Sequence, residues 1–163
     1  MSGVISAGSE ITAQAGAEML AQKGNAIDAI VAAALATAAG EPTLTSLAGG
    51  GIILLRDGGS GEPYLIDCFG NAPGLEGSEQ VDKDFFPVDL NFGPAIQTFY
   101  VGRASCGVPG VLPGLLTLHE QWGKLPFNQV IQPACRFLRE GCTFGEYQTS
   151  AMNLLAPILK LEA

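Results

Sequence analysis

One histidine, four cysteines and a scatter of carboxylates are the side chains of this sequence that could support acid–base, nucleophilic or metal chemistry. Zinc sites need Cys or His ligands at short, fixed spacing. Cys68, Cys106, Cys135 and Cys142 form no CxxC pair and no cluster with His119, so no zinc site is expected. The thiols sit among apolar neighbours, a setting that suits free cysteine, though spacing alone leaves a disulfide open. Thiol-based redox chemistry has equally little support in that spacing. His119 falls on the stripe Leu112, Leu115, Leu116, His119, Trp122. A general base needs partners within hydrogen-bond reach, and a lone imidazole on an apolar stripe reads as a packed, hydrogen-bonded residue. Asp28 follows Asn25 by three residues, where a carboxylate favours the positive end of a helix. It reads as a cap rather than a catalytic acid. Gly49-Gly50-Gly51 matches neither phosphate-binding glycine pattern, and no helix follows at once. Close backbone approach by another element is the better account of these glycines.

The elements that position these residues follow from periodicity. GVISA (3–7) reads as a short buried strand. Ser9 or Thr12 caps a helix reaching about Gln22, with Ile11, Ala15, Met19 and Leu20 on one side and Gly24 as its stop. The next helix starts at the Asn25 cap, carries Ile27, Ile30, Val31, Ala34, Leu35 and Ala38, and is apolar nearly all round. Such a helix is buried in protein or membrane. From Ala29 to Gly40 it is shorter than the ~20 residues a bilayer needs, so it is predicted to be a central core helix that ends at Glu41-Pro42. Ile52–Arg56 and Tyr64–Cys68 flank a Gly-rich turn and predict a hairpin. Residues 74–106 read as a long loop with short extended pieces such as Thr98–Val101, and the acids from Glu76 to Asp89 as a solvated stretch of it. Pro109-Gly110 and Pro113-Gly114 are expected to introduce a helix to about Trp122, stopped by Gly123, and another is expected from Asn128 to Glu140, stopped by Gly141. In the second of these Val130, Ile131, Ala134, Phe137 and Leu138 face inward. A last helix runs from Tyr147 to Leu161, with Pro157 kinking it or ending it early.

Helices, hairpin, loop, helices make an α+β class. Two strands alone form a poor sheet, so this hairpin is expected to belong to a larger one, and residues 1–163 to a single incomplete domain. Hydrophobic residues at 47% against charged residues at 15% exclude disorder. A formal charge of −8 argues against nucleic acid or anionic membrane as partner. Met1 is not followed by a basic and then long apolar run, so no signal peptide is evident and a cytoplasmic setting is expected.

Four stretches together resemble the γ-glutamyltransferase (γ-glutamyltranspeptidase) family in its N-terminal, large-subunit region. They are EMLAQKGNAIDAIVAAALATAAGEP, LAGGGIILLRDG, YLIDCFGNAP and GVPGVLPGLLTLHEQWGKLPFNQVIQPACRFLREG. Their order and spacing agree with the family from about Gly3 to Leu161. The resemblance implies an N-terminal-nucleophile hydrolase fold, a four-layer αββα sandwich of which this chain is a part. It implies a precursor that cuts itself before a threonine, whose own amine then assists it as nucleophile. The γ-glutamyl group of glutathione or a relative passes to that threonine, then to water or an amino acid. No cofactor or metal is implied.

Two departures matter. The processing threonine and small subunit of the family lie far beyond Ala163, so the chain alone is expected to be inactive, its natural partner being that missing sequence. A non-catalytic structural or interaction fragment is the alternative. The family also commonly carries D-x-R-E-x-A-P after the second strand, where this chain reads Asp67-Cys68-Phe69-Gly70-Asn71-Ala72-Pro73. Phe69 stands in place of the arginine that holds the substrate α-carboxylate, and Gly70 in place of the glutamate. A guanidinium binds a carboxylate through two parallel hydrogen bonds, and a phenyl ring cannot. Phe69, Gly70 and Asn71 are therefore the candidate substrate-binding residues. Phe69 has two readings: a wall for an acyl group other than γ-glutamyl, or ordinary packing beside the sheet. Asn71 has two as well, a donor to a ligand or a turn former.

Overall fold

Ser9 starts helix α1, Glu10–Ala21, by accepting the Thr12 amide at 3.2 Å. The description that follows is of a computed structural model and covers residues 3–74 and 84–161. Helix α1 closes in a Schellman motif, with Lys23 N donating to Leu20 O and Gly24 N to Met19 O. The left-handed position of that motif is Lys23, at φ 65°, and not the expected Gly24. Gly24 answers to a different constraint. A Cβ there would lie 2.8 Å from both Leu125 Cδ1 and the Met19 carbonyl. Lys23→Gly should therefore raise stability by about 1 kcal/mol, the cost of a left-handed non-glycine residue, read as a higher urea midpoint at unchanged slope. Gly24→Ala should lower it.

Helix α2, Ala26–Gly40, begins with a complete capping box, Asn25 and Asp28 each bonding the other's backbone amide. Its all-round apolarity is realised as burial: Val31, Ala32 and Ala36 are fully inaccessible, and only Ile30 and the first residue, Ala26, are exposed. Strands β1, Gly51–Arg56, and β2, Pro63–Cys68, pair antiparallel with Ile53 opposite Ile66 and Leu54 opposite Leu65. Ile53, Leu55 and Ile66 pack on the core around α2. The opposite face shows Ile52, Leu54 and Leu65 at 63%, 76% and 65% exposure. In the turn between the strands, the Ser60 and Gly59 amides bond Asp57 and hold its carboxyl below the usual range.

Helix α3, Val111–Trp122, stops at Gly123 as expected, and Leu115 and Leu118 are its buried residues. The expected helix from Asn128 to Glu140 is instead two, α4, Phe127–Val130, and α5, Gln132–Glu140. Pro133 lacks the amide that would bond the preceding turn, so the first helix ends at Val130 and a new one starts after Ile131. Val130 and Ala134 are buried, but Leu138, expected inward, is 57% exposed. Glu18 of α1 accepts Arg136 of α5 at 2.6 Å. These elements make one compact unit, from residues up to 70 together with 109–143. The expected strand at 3–7 is extended chain with no strand paired to it among the described residues, and Val4 is 97% exposed rather than buried. A strand exists only through its partner, which local propensity does not supply.

The second unit, 71–108 with residues from 144 onward, corrects the loop expected over 74–106. Strands β3, Phe86–Asn91, and β4, Ile96–Val101, form a second antiparallel hairpin. Phe92 N bonds Ala95 O across the turn, and Gly93 takes φ 90° with its amide on Asn91 Oδ1. Val88, Leu90, Phe99 and Val101 form the covered face, with Leu90 almost fully buried. Of the acidic stretch, residues 76–83 lie outside the described residues, and Phe86–Asp89 are strand rather than loop. Helix α6, Glu146–Leu159, contacts β3 and continues two residues past Pro157.

Candidate functional site

Two places in the first unit gather several of the residues that could do chemistry. One is the turn leaving β2. Asp67 Oδ1 accepts the Phe69 amide at 3.0 Å, turning the chain sharply after Cys68. The Cys68 side chain goes inward and is 5% exposed, whereas Phe69 points out at 65%. Two backbones close on this turn. A Cβ on Gly50 would overlap the Gly70 amide nitrogen and lie 2.9 Å from the Phe69 carbonyl carbon. A Cβ on Gly110 would overlap the Cys68 carbonyl oxygen and lie 2.8 Å from that of Phe69. The two walls are one piece, because Gly49 O accepts both Gly110 N and Val111 N at 3.1 Å. Of the Gly49–Gly51 run, Gly50 serves the close backbone packing that the sequence suggests, whereas a Cβ on Gly51 would meet only Val111 Cγ2 at 4.0 Å. Gly110 and Gly114 went unrecognised as parts of the site; the signal available was the glycine spacing in VPGVLPG.

Gly114 lies over Cys68, where an added Cβ would be 2.5 Å from the Cys68 Cβ and 2.8 Å from its Sγ. Gly114→Ala should cost about 1–3 kcal/mol by overpacking. Cys68→Ala in the same chain should recover part of that loss, as a double-mutant cycle in urea would measure.

Of the three candidate binding residues, Phe69 and Gly70 belong to this turn, both exposed. Asn71 belongs to the second unit, where its N–H donates to Val108 O at 3.1 Å and its carbonyl accepts Val108 N at 2.8 Å. The turn Asp67–Gly70 offers a phenyl ring and a carboxylate but no cation. Gly49 and Gly50 also line a cleft of about 490 Å³, with Thr37, Ser46, Val111 and Leu115 on its walls.

The second place surrounds Asp28, whose side chain is inaccessible to solvent. Its Oδ2 accepts Asn25 N at 2.8 Å, and its Oδ1 accepts Lys124 N at 2.9 Å and Leu125 N at 3.1 Å. His119 Nε2 is 3.5 Å from Oδ1 and 3.0 Å from the Leu125 carbonyl, which only accepts, so Nε2 carries the proton. Phe127 covers the imidazole edge. Both residues thus tie the α1–α2 turn to the segment after α3. All four cysteines are free thiols, and Cys106 is exposed, unlike its expected apolar setting. Among the described residues no His, Cys, Asp and Glu group could hold a metal, and no helix is long and apolar enough to cross a membrane.

Comparison with known proteins agrees with this architecture. The family model described as Gamma-glutamyltranspeptidase matches residues 12–162. A glutathione hydrolase proenzyme of Pseudomonas aeruginosa is 32% identical over 147 residues, covering 90% of this chain and 25% of the relative. The corresponding proenzyme of Escherichia coli is 30% identical over 139 residues, 85% of this chain and 23% of the relative. The chain thus spans about a quarter of the length of these relatives. Among solved structures, the γ-glutamyltranspeptidase of Pseudomonas nitroreducens in complex with L-DON superposes with a TM-score of 0.76 at 27% identity, over 97% of this chain and 45% of that one. That likeness makes the chain part of an N-terminal-nucleophile hydrolase fold of α+β class. By family model, sequence identity and fold alike, the chain belongs to the γ-glutamyltranspeptidase family and corresponds to its N-terminal region.

Proposed function

We propose that these residues form the N-terminal part of an acyl transferase or hydrolase that opens γ-glutamyl amides of the glutathione type. The nucleophile in this reading is a threonine outside the 163 residues, freed at a new N-terminus so that its amine takes up the hydroxyl proton. Attack on the amide carbon forms an ester and releases the amine. Water or an amino acid then cleaves the ester. The 163 residues contribute scaffold and one wall of the site, as part of a single incomplete domain. Family membership carries this reading. The uncovered face of the β1–β2 hairpin supports it, because Ile52, Leu54 and Leu65 form an apolar face that fits a second layer of structure. The partner is then the remainder of the same precursor.

Phe69 favours a second reading of the substrate. An exposed ring where the family places a carboxylate-binding arginine suits an acyl amide without a free α-carboxylate.

The test compares this chain alone with the same chain co-expressed with the remainder of its precursor, the threonine-led segment included. Release of p-nitroaniline from γ-glutamyl-p-nitroanilide, or from an uncharged acyl analogue, is expected only from the pair. Turnover by the chain alone would refute the reading, as would an inactive pair.

A further inference from the structure

We propose that Gly50 and Gly110 are positioning residues whose backbones bracket the Cys68–Phe69–Gly70 turn and fix the direction in which the Phe69 ring is presented. The inference deepens the reading of Phe69 as a wall of the acyl site and rests on it for its functional meaning. Its structural content stands on contacts already given. Gly50 abuts the Phe69–Gly70 peptide, and Gly110 abuts the carbonyls of Cys68 and Phe69. Gly49 O joins the two walls through the Gly110 and Val111 amides. Asp67 Oδ1 holds the Phe69 amide, and the Cys68 side chain, beneath Gly114, anchors the turn from inside. Neither Gly50 nor Gly110 has a positive φ, so what their places require is the absence of a Cβ and not a special backbone conformation. An exposed side chain on an ordinary turn samples several directions. Here the Phe69 amide is bonded to Asp67, and Gly50 and Gly110 face the carbonyls of Cys68 and Phe69 and the Gly70 nitrogen, so motion of the ring is left mainly to its own rotamers. A specificity residue works in this way, its supporting backbone immobilised by neighbours that never touch the substrate.

Two measurements on the 163-residue chain test the bracket. In 15N relaxation of the unmodified protein, the Phe69 and Gly70 amides should have order parameters near those of the helices, about 0.85, rather than below about 0.6 as in a mobile loop. With fluorine-labelled phenylalanine, the Phe69 resonance is assigned by its loss in Phe69→Leu. It should shift in both Gly50→Ala and Gly110→Ala, and stay in place in Gly58→Ala, where an added Cβ would meet nothing within 4 Å. A change confined to overall stability would lower the unfolding midpoint without displacing that one resonance. Order parameters below about 0.6 at Phe69 and Gly70 would overturn the proposal, and so would an unmoved Phe69 resonance in folded Gly50→Ala and Gly110→Ala. Should both variants fail to fold, the relaxation result on the unmodified chain decides alone. Titration with pentanamide addresses the acyl reading separately. A held bracket with no ligand response at Phe69 would keep the positioning role and remove the acyl wall.

Discussion

Asp28→Ala is expected to destabilise the chain by about 3–5 kcal/mol, a large share of the 5–15 kcal/mol that holds a typical domain. Three backbone amides, those of Asn25, Lys124 and Leu125, converge on one inaccessible carboxylate. Each buried donor left without its acceptor costs about 1–3 kcal/mol, and the losses fall short of additive because the segment can partly relax toward water. The helix α2 cap also goes, since the carboxylate is half of its capping box. Asp28→Asn should cost less, about 2 kcal/mol, because the amide keeps one acceptor oxygen and turns an NH2 toward the remaining donor. Trp122 is the only tryptophan and its carbonyl accepts Asn25 Nδ2 at 2.7 Å, so its fluorescence reports on this junction during urea unfolding. A loss below 1 kcal/mol in Asp28→Ala would contradict the structural role given to the residue, and unchanged stability with lost activity in the assembled enzyme would restore the catalytic one.

Legibility of the fold divided along the range of the interactions concerned. Ser9, Asn25, Asp28, Gly123 and Gly141 act on residues within one turn, so the ends of α1, α2, α3 and α5 could be read directly. The first hairpin was legible because its two apolar runs flank a glycine-rich turn. The second was hidden by composition. Pro87, Asp89, Asn91 and Thr98 alternate with Val88, Leu90 and Phe99, and the polar members hid the period-two pattern in a region rich in turn formers. Pro133 was visible, but Val130, Ile131 and Ala134 fit a single helical stripe so well that the apolar pattern outweighed the missing amide. The segment 3–7 shows the converse error, a strand propensity with no strand at its side.

The candidate site was legible in part for the same reason. Phe69 and Gly70 stood out because they replace charged residues in a motif, which is a one-dimensional signal. What holds them is not local: Gly50 meets Gly70, and Gly110 meets Cys68, across long stretches of chain. A glycine kept for the absence of its Cβ resembles a glycine kept for a turn until the opposing backbone is known. The Gly49–Gly51 run announced a close approach without naming its partner, and the glycines of VPGVLPG read as the approach to a helix rather than as close contacts.

Phe69→Arg, made in the enzyme assembled with its threonine-bearing segment, should raise preference for a γ-glutamyl donor over an uncharged acyl donor by about 10–100-fold in kcat/KM. The bracket keeps the Cα and Cβ of residue 69 where the phenyl ring now leaves them, so the guanidinium enters a prepared position. Hydrogen bonds to a charged group contribute about 1.5–3 kcal/mol, and a bidentate guanidinium–carboxylate pair belongs in that range. Each 1.4 kcal/mol is tenfold in affinity, which sets the expected factor. The gain should appear mainly in KM for the γ-glutamyl donor, because the α-carboxylate is remote from the reacting amide and is held alike in ground and transition states. Phe69→Leu separates apolar contact from charge. It should weaken the uncharged donor about 2–10-fold, in line with the loss of aromatic area, and leave the γ-glutamyl donor nearly unchanged. If Phe69→Arg left the donor preference where it was, residue 69 would not face the acyl group at all, and packing beside the sheet would be its whole role. If it abolished both activities in a folded protein, the site would be too closed around the ring for a guanidinium, and the unmodified enzyme would already be committed to apolar acyl groups.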